Sequence, residues 1–256
     1  MRLSRSVFEY QAKQPDDTVI ERELKKLANK HKRYGFRKMF YKLRLQGFAW
    51  NHKRVYRIYC SLKLNLKVKP KKRLPVREKV TLVEPKNIND TWSLDYMSDA
   101  LMNGKCFRTA NVIDDYNREV LGIRVSISLP SQKVTSFLDN IAQERDYPQK
   151  IRMDNGPENI SKVFKQWAKK HGIELEYIQP GKPAQNGYIE RFNRTYREEV
   201  LDMYLFRNLQ EVQDITNEWI MDYNNERPHH SLNNLPPHEC VGERNFLFLS
   251  CTKNGG

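Results

Sequence analysis

The sequence RMDNGPEN, residues 152–159, decides how the fold of this chain is interpreted. Residues 150–153 form a short strand-like run, and the Asn-Gly-Pro that follows Asp154 predicts a turn. Asp154 is therefore expected at the end of a strand, with its carboxylate at the edge of a sheet. This placement makes Asp154 the first candidate for a catalytic group.

A second acid, Glu190, follows the loop PGKPAQNG, residues 180–187. It begins an apolar-periodic run that predicts a helix. The 35 residues between Asp154 and Glu190 hold a predicted helix (about 159–171) and a predicted strand (about 173–178). That is enough chain to bring Glu190 back beside Asp154.

A third acid, Asp95, lies in the segment TWSLDYM, residues 91–97, which alternates between two faces as a strand does. The Asn-Gly pair at 103–104 predicts a hairpin turn after it. Aspartate is depleted in strands and a charge resists burial, so a metal ion would remove the cost of Asp95. Three carboxylates from two strands and a helix make an all-oxygen site, which suits Mg²⁺ or Mn²⁺ rather than zinc.

The order and spacing of Asp95, Asp154 and Glu190 resemble the DDE signature of the retroviral-integrase-like transposases. Arg197, seven residues past Glu190, matches the basic residue of the bacterial insertion-sequence enzymes. The segment YNNERPHHSL, residues 223–232, resembles their C-terminal block. Over nearly its whole length the chain resembles the second-reading-frame (OrfB) product of the insertion-sequence-three family. This resemblance implies a transposase that nicks insertion-sequence ends and transfers the freed 3′-OH to another phosphodiester.

The resemblance also implies partners and a cofactor. Such enzymes act on double-stranded DNA as dimers or larger assemblies, in the bacterial cytoplasm and at the nucleoid. They are often made as a fusion to an upstream OrfA product. The chemistry uses two divalent cations per site, Mg²⁺ with Mn²⁺ as an alternative. Asp95 would bridge the two ions, Asp154 would complete the ligands of one, and Glu190 those of the other.

Basic residues near Glu190 are candidates for DNA contact. Arg194 and Arg197 fall four and seven residues after Glu190, so they share its helix face and can meet DNA phosphates. Lys182, in the loop before that helix, is a further candidate.

Four other acids have different interpretations. Asp114 and Asp115 lie in an ordinary turn composition and are interpreted as structural. Glu158 is close to Asp154 in sequence and is a candidate for supporting it. Asp99 lies on the same strand face as Asp95, nearer the strand end.

Two other functions remain open at this point. A catalytically silent DNA-binding regulator of transposition would keep the fold without the reaction, but the intact acids argue against it. A ribonuclease-H-type nuclease would cut RNA–DNA hybrids, but the basic N-terminal region and Arg197 disfavour it.

Composition sets broad limits on this chain of 256 residues, of which 30% are charged and 39% hydrophobic. No apolar run approaches the roughly 18 residues that a membrane span needs. The N-terminus has no apolar segment typical of a signal peptide. The cysteines at positions 60, 106, 240 and 251 fit neither a disulfide framework nor zinc-ligand spacing, which indicates a reducing cytoplasm.

Positive charge is concentrated in residues 1–80, which hold 24 Lys and Arg against 6 Asp and Glu, whereas residues 81–256 hold 21 against 25. Such an excess favours a module that binds a polyanion. Three short helices predict a helix-turn-helix DNA-binding domain over residues 1–62, the third helix entering the major groove. The alternative is a plain three-helix bundle with a solvated basic face. The candidates on the third helix are Lys53, Arg54 and Arg57.

The rest of the chain predicts three further parts. Residues 63–86 are basic and contain prolines, which predicts an extended linker. Residues 87–205 predict three strands followed by alternating helices and strands. This is the order of a ribonuclease-H-like α/β fold, the integrase catalytic core, with a mixed five-stranded sheet and flanking helices. Residues 206–256 predict a C-terminal helical extension and tail. A fold alone does not establish function, so the three acids must carry that inference.

Overall fold

The computed structural model describes residues 16–67, 85–179 and 186–240. The chain divides into two compact units, residues 1–69 and 70–256. Most of the predicted linker lies outside the described residues, and so does Lys182. Within the described ranges, no helix is both long and apolar enough to cross a lipid bilayer.

Three helices form the described part of the N-terminal unit: α1 (Thr18–Lys30), α2 (Phe36–Leu45) and α3 (His52–Ser61). Gly47 follows α2 with φ of +89°, a left-handed conformation that ends many helices. Asn51 caps α3, because its Oδ1 accepts a hydrogen bond of 2.8 Å from the backbone N–H two residues on. The buried core of the unit consists of Ile20, Leu24, Leu27, Tyr34, Met39, Phe40, Leu43, Val55, Ile58 and Tyr59.

The C-terminal unit is built on a sheet of five strands. Strands β1 (Thr91–Ala100), β2 (Cys106–Asp114) and β3 (Val120–Ser126) form an antiparallel meander. Strands β4 (Lys150–Met153) and β5 (Glu174–Tyr177) are added in parallel beside β1, giving the order β3-β2-β1-β4-β5. The predicted mixed five-stranded sheet of the ribonuclease-H-like class is confirmed.

Helices cover both faces of this sheet. On one face, α4 (Ser131–Arg145) and α5 (Lys162–Lys170) pack over Trp92 and Leu94 of β1. On the other face lie α6 (Gly187–Glu199) and α7 (Leu209–Asn225). Because side chains alternate along a strand, Asp95 projects to the face opposite that of Leu94. The face of α6 and α7 therefore carries the first candidate acid. The buried residues of that face are Leu101, Phe107, Ile113, Val120, Ile123, Val125, Ile189, Phe192, Tyr196, Val200, Leu201, Phe206, Val212 and Tyr223.

Helix α7, which falls in the predicted C-terminal extension, packs against β3 at the edge of the sheet. Gln213 accepts a hydrogen bond of 3.1 Å from the backbone N–H of Val125 and donates one of 3.0 Å to the carbonyl of Ile123. Asn224 bonds both backbone groups of Val120 at 2.9 Å. These side-chain amides pair backbone groups that an outer strand would otherwise leave open. The described part of 206–256 thus shares a core with the sheet.

Candidate active site

Asp95 and Asp154 lie at the same level of the sheet on neighbouring strands. Strands β1 and β4 run parallel, and their last paired residues are Ser93 and Arg152. Asp95 and Asp154 each stand two residues beyond that pair. The prediction that Asp154 directly follows a strand is confirmed, since β4 ends at Met153.

Glu190 lies in the first turn of α6, a helix that the sequence predicted at this place. The buried side chains Ile189, Phe192 and Tyr196 attach α6 to the face of the sheet that carries Asp95. Glu190 itself is exposed, as is Asp154. Packing of the apolar side of α6 therefore fixes the backbone of Glu190 and leaves its carboxylate in solvent.

The three acids act on one another electrostatically. Burial, followed by the negative charges of Asp154 and Glu190, raises the pKa of Asp95 to about 6. Hydrogen bonds from the backbone N–H of Tyr96 and from the side chain of Asn193 oppose this rise in pKa. The charges of Asp154 and Glu190 therefore reach Asp95 and make its ionisation harder.

The carboxylate of Asp95 is held by the side chain of Asn193, which is held in turn by the side chain of Asn111. Its Oδ2 accepts a hydrogen bond of 2.8 Å from Nδ2 of Asn193, on α6. Oδ1 of Asn193 accepts in turn a 2.7 Å hydrogen bond from Nδ2 of Asn111, on β2. The other oxygen of Asp95 accepts a 2.9 Å bond from the backbone N–H of Tyr96. Asp95 is therefore fixed from both sides.

Asp154 is held in a similar way by the turn that follows it. Its Oδ1 accepts hydrogen bonds from Nδ2 of Asn159 at 2.8 Å and from the backbone N–H of Gly156 at 3.1 Å. A Cβ at Gly156 would stand only 3.0 Å from that oxygen. Asn159 is fully buried, and its Oδ1 accepts a 2.9 Å bond from the Tyr96 hydroxyl. An alanine at position 156 would therefore displace this carboxylate oxygen by a few tenths of an ångström.

The donor set suits a hard divalent cation, but the ligands are not gathered around one point. Carboxylate oxygens are the ligands that Mg²⁺ and Mn²⁺ prefer, so Asp95, Asp154 and Glu190 fit such an ion chemically. Among the described residues, no three His, Cys, Asp or Glu side chains are arranged to hold a metal ion. Ligation of a shared ion requires the exposed side chains of Asp154 and Glu190 to turn toward Asp95.

The basic candidates near Glu190 differ in their surroundings. Arg197 donates to Oδ2 of Asp99 at 3.3 Å and to the carbonyl of Ser98 at 2.9 Å, so it is tied to the end of β1. Arg194 is exposed. Lys182 falls outside the described residues.

The basic candidates of α3 are also distinguished by their partners. Arg54 and Arg57 both form ion pairs of 2.7 Å with the carboxylate of Asp17, which precedes α1. Asp17 occupies the N-cap position of α1, but its side chain makes no capping hydrogen bond. Lys53 is exposed in the first turn of α3. Arg54 and Arg57 therefore share an acid within the unit, whereas Lys53 is exposed without such a pairing to Asp17.

Asp114 and Asp115 are buried rather than placed in a solvated turn. Oδ2 of Asp115 pairs with Nη1 of Arg152 at 2.6 Å. Asp114 accepts hydrogen bonds from the backbone N–H groups of Asn89 (2.8 Å) and Tyr116 (2.7 Å). Burial raises the pKa of each acid to about 6. Their bonds join the end of β2 to neighbouring segments, which is a structural role.

Sequence reasoning missed the three asparagines that hold the aspartates. Asn111 is a polar residue within the apolar strand β2, and Asn193 follows Glu190 by three positions on α6. Each of these placements is a signal that was available in the sequence. Asn159 lay beside Glu158, which was the candidate for supporting Asp154. Glu158 instead forms an ion pair with Arg108.

Three family models match the chain. An HTH-like domain model matches residues 14–73, and two integrase core domain models match residues 85–183 and 171–237. Together with the mixed sheet and the acids at its centre, these matches define a protein with an HTH-like domain and an integrase catalytic core.

Relatives narrow this class. The insertion element IS407 uncharacterized 31.7 kDa protein of Burkholderia multivorans is 38% identical over 93% of this chain and 86% of its own length. The insertion element IS476 uncharacterized 39.2 kDa protein of Xanthomonas euvesicatoria is 38% identical over 92% of this chain and 68% of its own length. The putative transposase InsK for insertion sequence element IS150 of Escherichia coli is 26% identical over 93% and 89%. The chain belongs to the integrase-core transposases of bacterial insertion elements.

A solved structure agrees with the fold. A chain of the simian T-cell lymphotropic virus intasome in complex with PP2A regulatory subunit B56 gamma aligns with a TM-score of 0.50. The alignment covers 84% of this chain and 73% of that chain, at 17% sequence identity. At this identity the likeness supports the fold alone.

Proposed function

We propose that Asp95, Asp154 and Glu190 bind two divalent cations, Mg²⁺ or Mn²⁺, and that the chain nicks and joins DNA at the ends of its insertion element. The observation that supports this most is the placement of Asp95 and Asp154 at matching positions on neighbouring strands, with Glu190 on the helix that packs over the face of Asp95. Burial raises the pKa of Asp95 to about 6, and the negative charges of Asp154 and Glu190 add to that rise. A cation bound by these carboxylates would relieve the repulsion. When bound, two ions of this kind activate an oxygen nucleophile and stabilise a leaving oxygen.

Two phosphoryl transfers make up the proposed reaction. In the first, a water oxygen bonds to phosphorus, the bond from phosphorus to the 3′ oxygen breaks, and that oxygen takes a proton. In the second, the freed 3′-OH bonds to a target phosphorus and the target's own 3′ oxygen leaves. No side chain forms a bond to DNA. The carboxylates of Asp95, Asp154 and Glu190 would hold the cations, and the hydrogen bonds to Asp95 and Asp154 would orient two of these ligands.

DNA contact is assigned to both units. Lys53 is the strongest candidate on α3, because it is exposed and Arg54 and Arg57 already pair with Asp17. Near the acids, Arg194 is exposed and free to meet phosphates by its position on α6. Lys182 remains a candidate from its sequence position. Arg197 would have to exchange Asp99 for a phosphate.

The partners follow from the same proposal. The chain acts on double-stranded DNA at paired terminal repeats, as an assembly of copies of itself, and an upstream OrfA product is its expected fusion or binding partner.

The proposed domain limits are 1–62 for the helix-turn-helix domain, 63–86 for the linker, 87–205 for the catalytic core and 206–256 for the C-terminal extension.

A nicking assay tests the reaction. Terminal-repeat duplex is incubated with Mg²⁺ and the wild-type chain, Asp154→Asn or Glu190→Gln. Both variants should lose nicking while binding the duplex like wild type, because the exposed carboxylates contribute little to the fold. Glu198→Gln is the matched control, since it removes an exposed carboxylate from the same helix, and it should nick normally.

The same assay separates the proposal from its rivals. Nicking by Glu190→Gln at the wild-type rate would remove Glu190 from the site. Cleavage of an RNA–DNA hybrid in preference to the duplex would indicate a ribonuclease. Duplex binding with no nicking by the wild-type chain in either Mg²⁺ or Mn²⁺ would indicate a silent regulator.

A further inference from the structure

Asn111 connects the strand β2 to the candidate active site through a second amide. It lies directly opposite Asp95 in the pairing of β1 with β2, and its side chain is completely buried. It donates to Asn193 at 2.7 Å, and Asn193 donates to Asp95 at 2.8 Å. Since Asn193 is on α6 three residues after Glu190, the two amides link both acids to one buried point of the sheet.

Asn111 is a polar residue with an incompletely paired amide on a buried face of β2. That face also carries Phe107, Thr109 and Ile113, all of them buried, and Phe107 and Ile113 belong to the apolar core. Among the described residues, Oδ1 of Asn111 has no hydrogen-bond partner. Burying an amide with an unpaired acceptor costs free energy, and an apolar side chain of similar size avoids that cost. Asn111 therefore carries a desolvation cost that its hydrogen bond to Asn193 must offset.

We infer that Asn111 and Asn193 are positioning residues that orient the Asp95 carboxylate for a divalent cation; this inference rests on the proposed function. The oxygen of Asn193 accepts a hydrogen bond from the NH₂ group of Asn111. The NH₂ group of Asn193 is therefore the part that faces Asp95 and donates to it. The second oxygen of Asp95 is held by the backbone N–H of Tyr96. Each oxygen of Asp95 thus has one donor and retains a lone pair for a cation.

Asn111→Leu separates positioning from packing. Mn²⁺ is the probe, its binding to the full chain is followed by the EPR signal of the free ion, and unfolding is followed in urea. The unfolding midpoint should stay close to that of wild type, because removing the unpaired acceptor of Asn111 offsets the donor that the Asn193 oxygen loses. The dissociation constant for Mn²⁺ should rise about tenfold or more, as is usual when a residue that holds a metal ligand is lost. A lower midpoint with unchanged Mn²⁺ affinity would overturn the inference.

Asn224→Leu is the matched control. Asn224 is a buried asparagine of the same unit that bonds the backbone of Val120 and has no link to the acids. Its loss should lower the unfolding midpoint and leave Mn²⁺ affinity within twofold of wild type, the reverse of the pattern for Asn111→Leu. Weakened Mn²⁺ binding by Asn224→Leu would show that general destabilisation is sufficient, and would overturn the positioning role.

A double-mutant cycle with Asn193→Ala tests whether the two amides act in series. If Asn111 acts through Asn193, the double variant should bind Mn²⁺ no more weakly than Asn193→Ala alone. If the fold-losses of Mn²⁺ affinity in the two single variants multiply in the double variant, Asn111 acts independently of Asn193. That result would overturn the inference that Asn111 acts through Asn193. If Asn111→Leu does not fold, Asn193→Ala is the deciding variant. Its Mn²⁺ affinity should be about tenfold weaker than that of wild type. Unchanged Mn²⁺ affinity would contradict the positioning role.

Asp95→Asn distinguishes failure of this inference from failure of the proposed function. Loss of Mn²⁺ binding in Asp95→Asn but normal binding in the asparagine variants would overturn the positioning role alone. Wild-type Mn²⁺ binding by Asp95→Asn would remove the proposed metal site and the positioning role with it.

Discussion

The hydroxyl of Tyr96, one residue after Asp95, donates a hydrogen bond of 2.9 Å to Oδ1 of Asn159. The NH₂ group of Asn159 then donates to Asp154. A residue of β1 therefore orients the amide that holds the acid beside β4. The two aspartates share strand β1 as a common support, Asp95 by belonging to it and Asp154 through Tyr96 and Asn159.

Tyr96→Phe should remove the hydrogen bond by which β1 orients the Asn159 amide. The change removes one hydroxyl, leaves the ring, and frees the Asn159 amide to turn. Nicking should fall about tenfold, by analogy with residues that hold metal ligands, and the free energy of unfolding should fall by about 1 kcal/mol. Tyr177→Phe is the control, because the Tyr177 hydroxyl donates to the backbone carbonyl of Asn159 instead. Equal nicking losses in the two variants would show that the side-chain bond has no special role.

Gly156→Ala should impair catalysis without unfolding the chain. The added Cβ would stand 3.0 Å from Oδ1 of Asp154 and 3.3 Å from Oε2 of Glu158, so the Asp154 carboxylate must move. A nicking rate lower by about tenfold, or about 1.4 kcal/mol of activation free energy, is expected. Gly172→Ala should do the opposite. Gly172 has φ of +68° with open space around its Cβ position, so alanine costs about 1–2 kcal/mol of stability and nicking is unchanged.

The raised pKa of Asp114 should make the free energy of unfolding depend on pH. Burial raises its pKa to about 6 from the model-peptide value of 3.8, so the folded chain holds a proton that the unfolded chain releases. The contribution of Asp114 is therefore most favourable below about pH 4, falls as the pH rises to about 6, and is constant above. A rise of the pKa by about 2 corresponds to a loss on the order of 3 kcal/mol in the free energy of unfolding. Urea unfolding of wild type and Asp114→Asn from pH 4 to 7 measures this loss. Parallel profiles would contradict this prediction.

Asp17→Asn should strengthen nonspecific DNA binding by the N-terminal unit. The change releases Arg54 and Arg57 from their ion pairs, so up to two more cations can meet phosphates. The slope of log affinity against log salt should steepen by about 1–2. Fluorescence anisotropy on a random duplex between roughly 50 and 200 mM salt measures that slope. Glu21→Gln removes the same charge and releases one cation, Lys25, which lies 3.5 Å from Glu21. An equal effect there would show that the two arginines have no special role.

Local patterns were sufficient for the elements that carry the acids. The strand before Asp154 and the helix of Glu190 depend on turn residues and apolar periodicity, which neighbouring residues determine. Asn111 and Asn193 could not be paired in this way, because they are 82 positions apart and meet only when α6 packs on the sheet. Asp17 and Arg57 likewise pair across 40 positions. The sequence shows where the basic residues are, but not which of them an acid already neutralises.

Apolar periodicity is misleading just before the C-terminal extension. The spacing of apolar residues from Leu201 onward predicts a helix with Leu205 on its apolar stripe, yet Leu205 is 82% exposed. Helix α7 begins only at Leu209, after a short 3-10 turn at Leu201–Met203. Helical spacing assigns a face to a residue only where the backbone is helical, so the prediction did not hold for Leu205.

The amides of Gln213 and Asn224 on the edge of β3 set a lower limit for a working fragment of this transposase. A protein truncated before Leu209 would retain all three acids and every strand of the sheet. It would also present β3 with bare backbone donors and acceptors, a surface on which other chains can add as strands. Such a fragment is expected to precipitate, and its failure in an assay would report lost solubility and not a missing catalytic group.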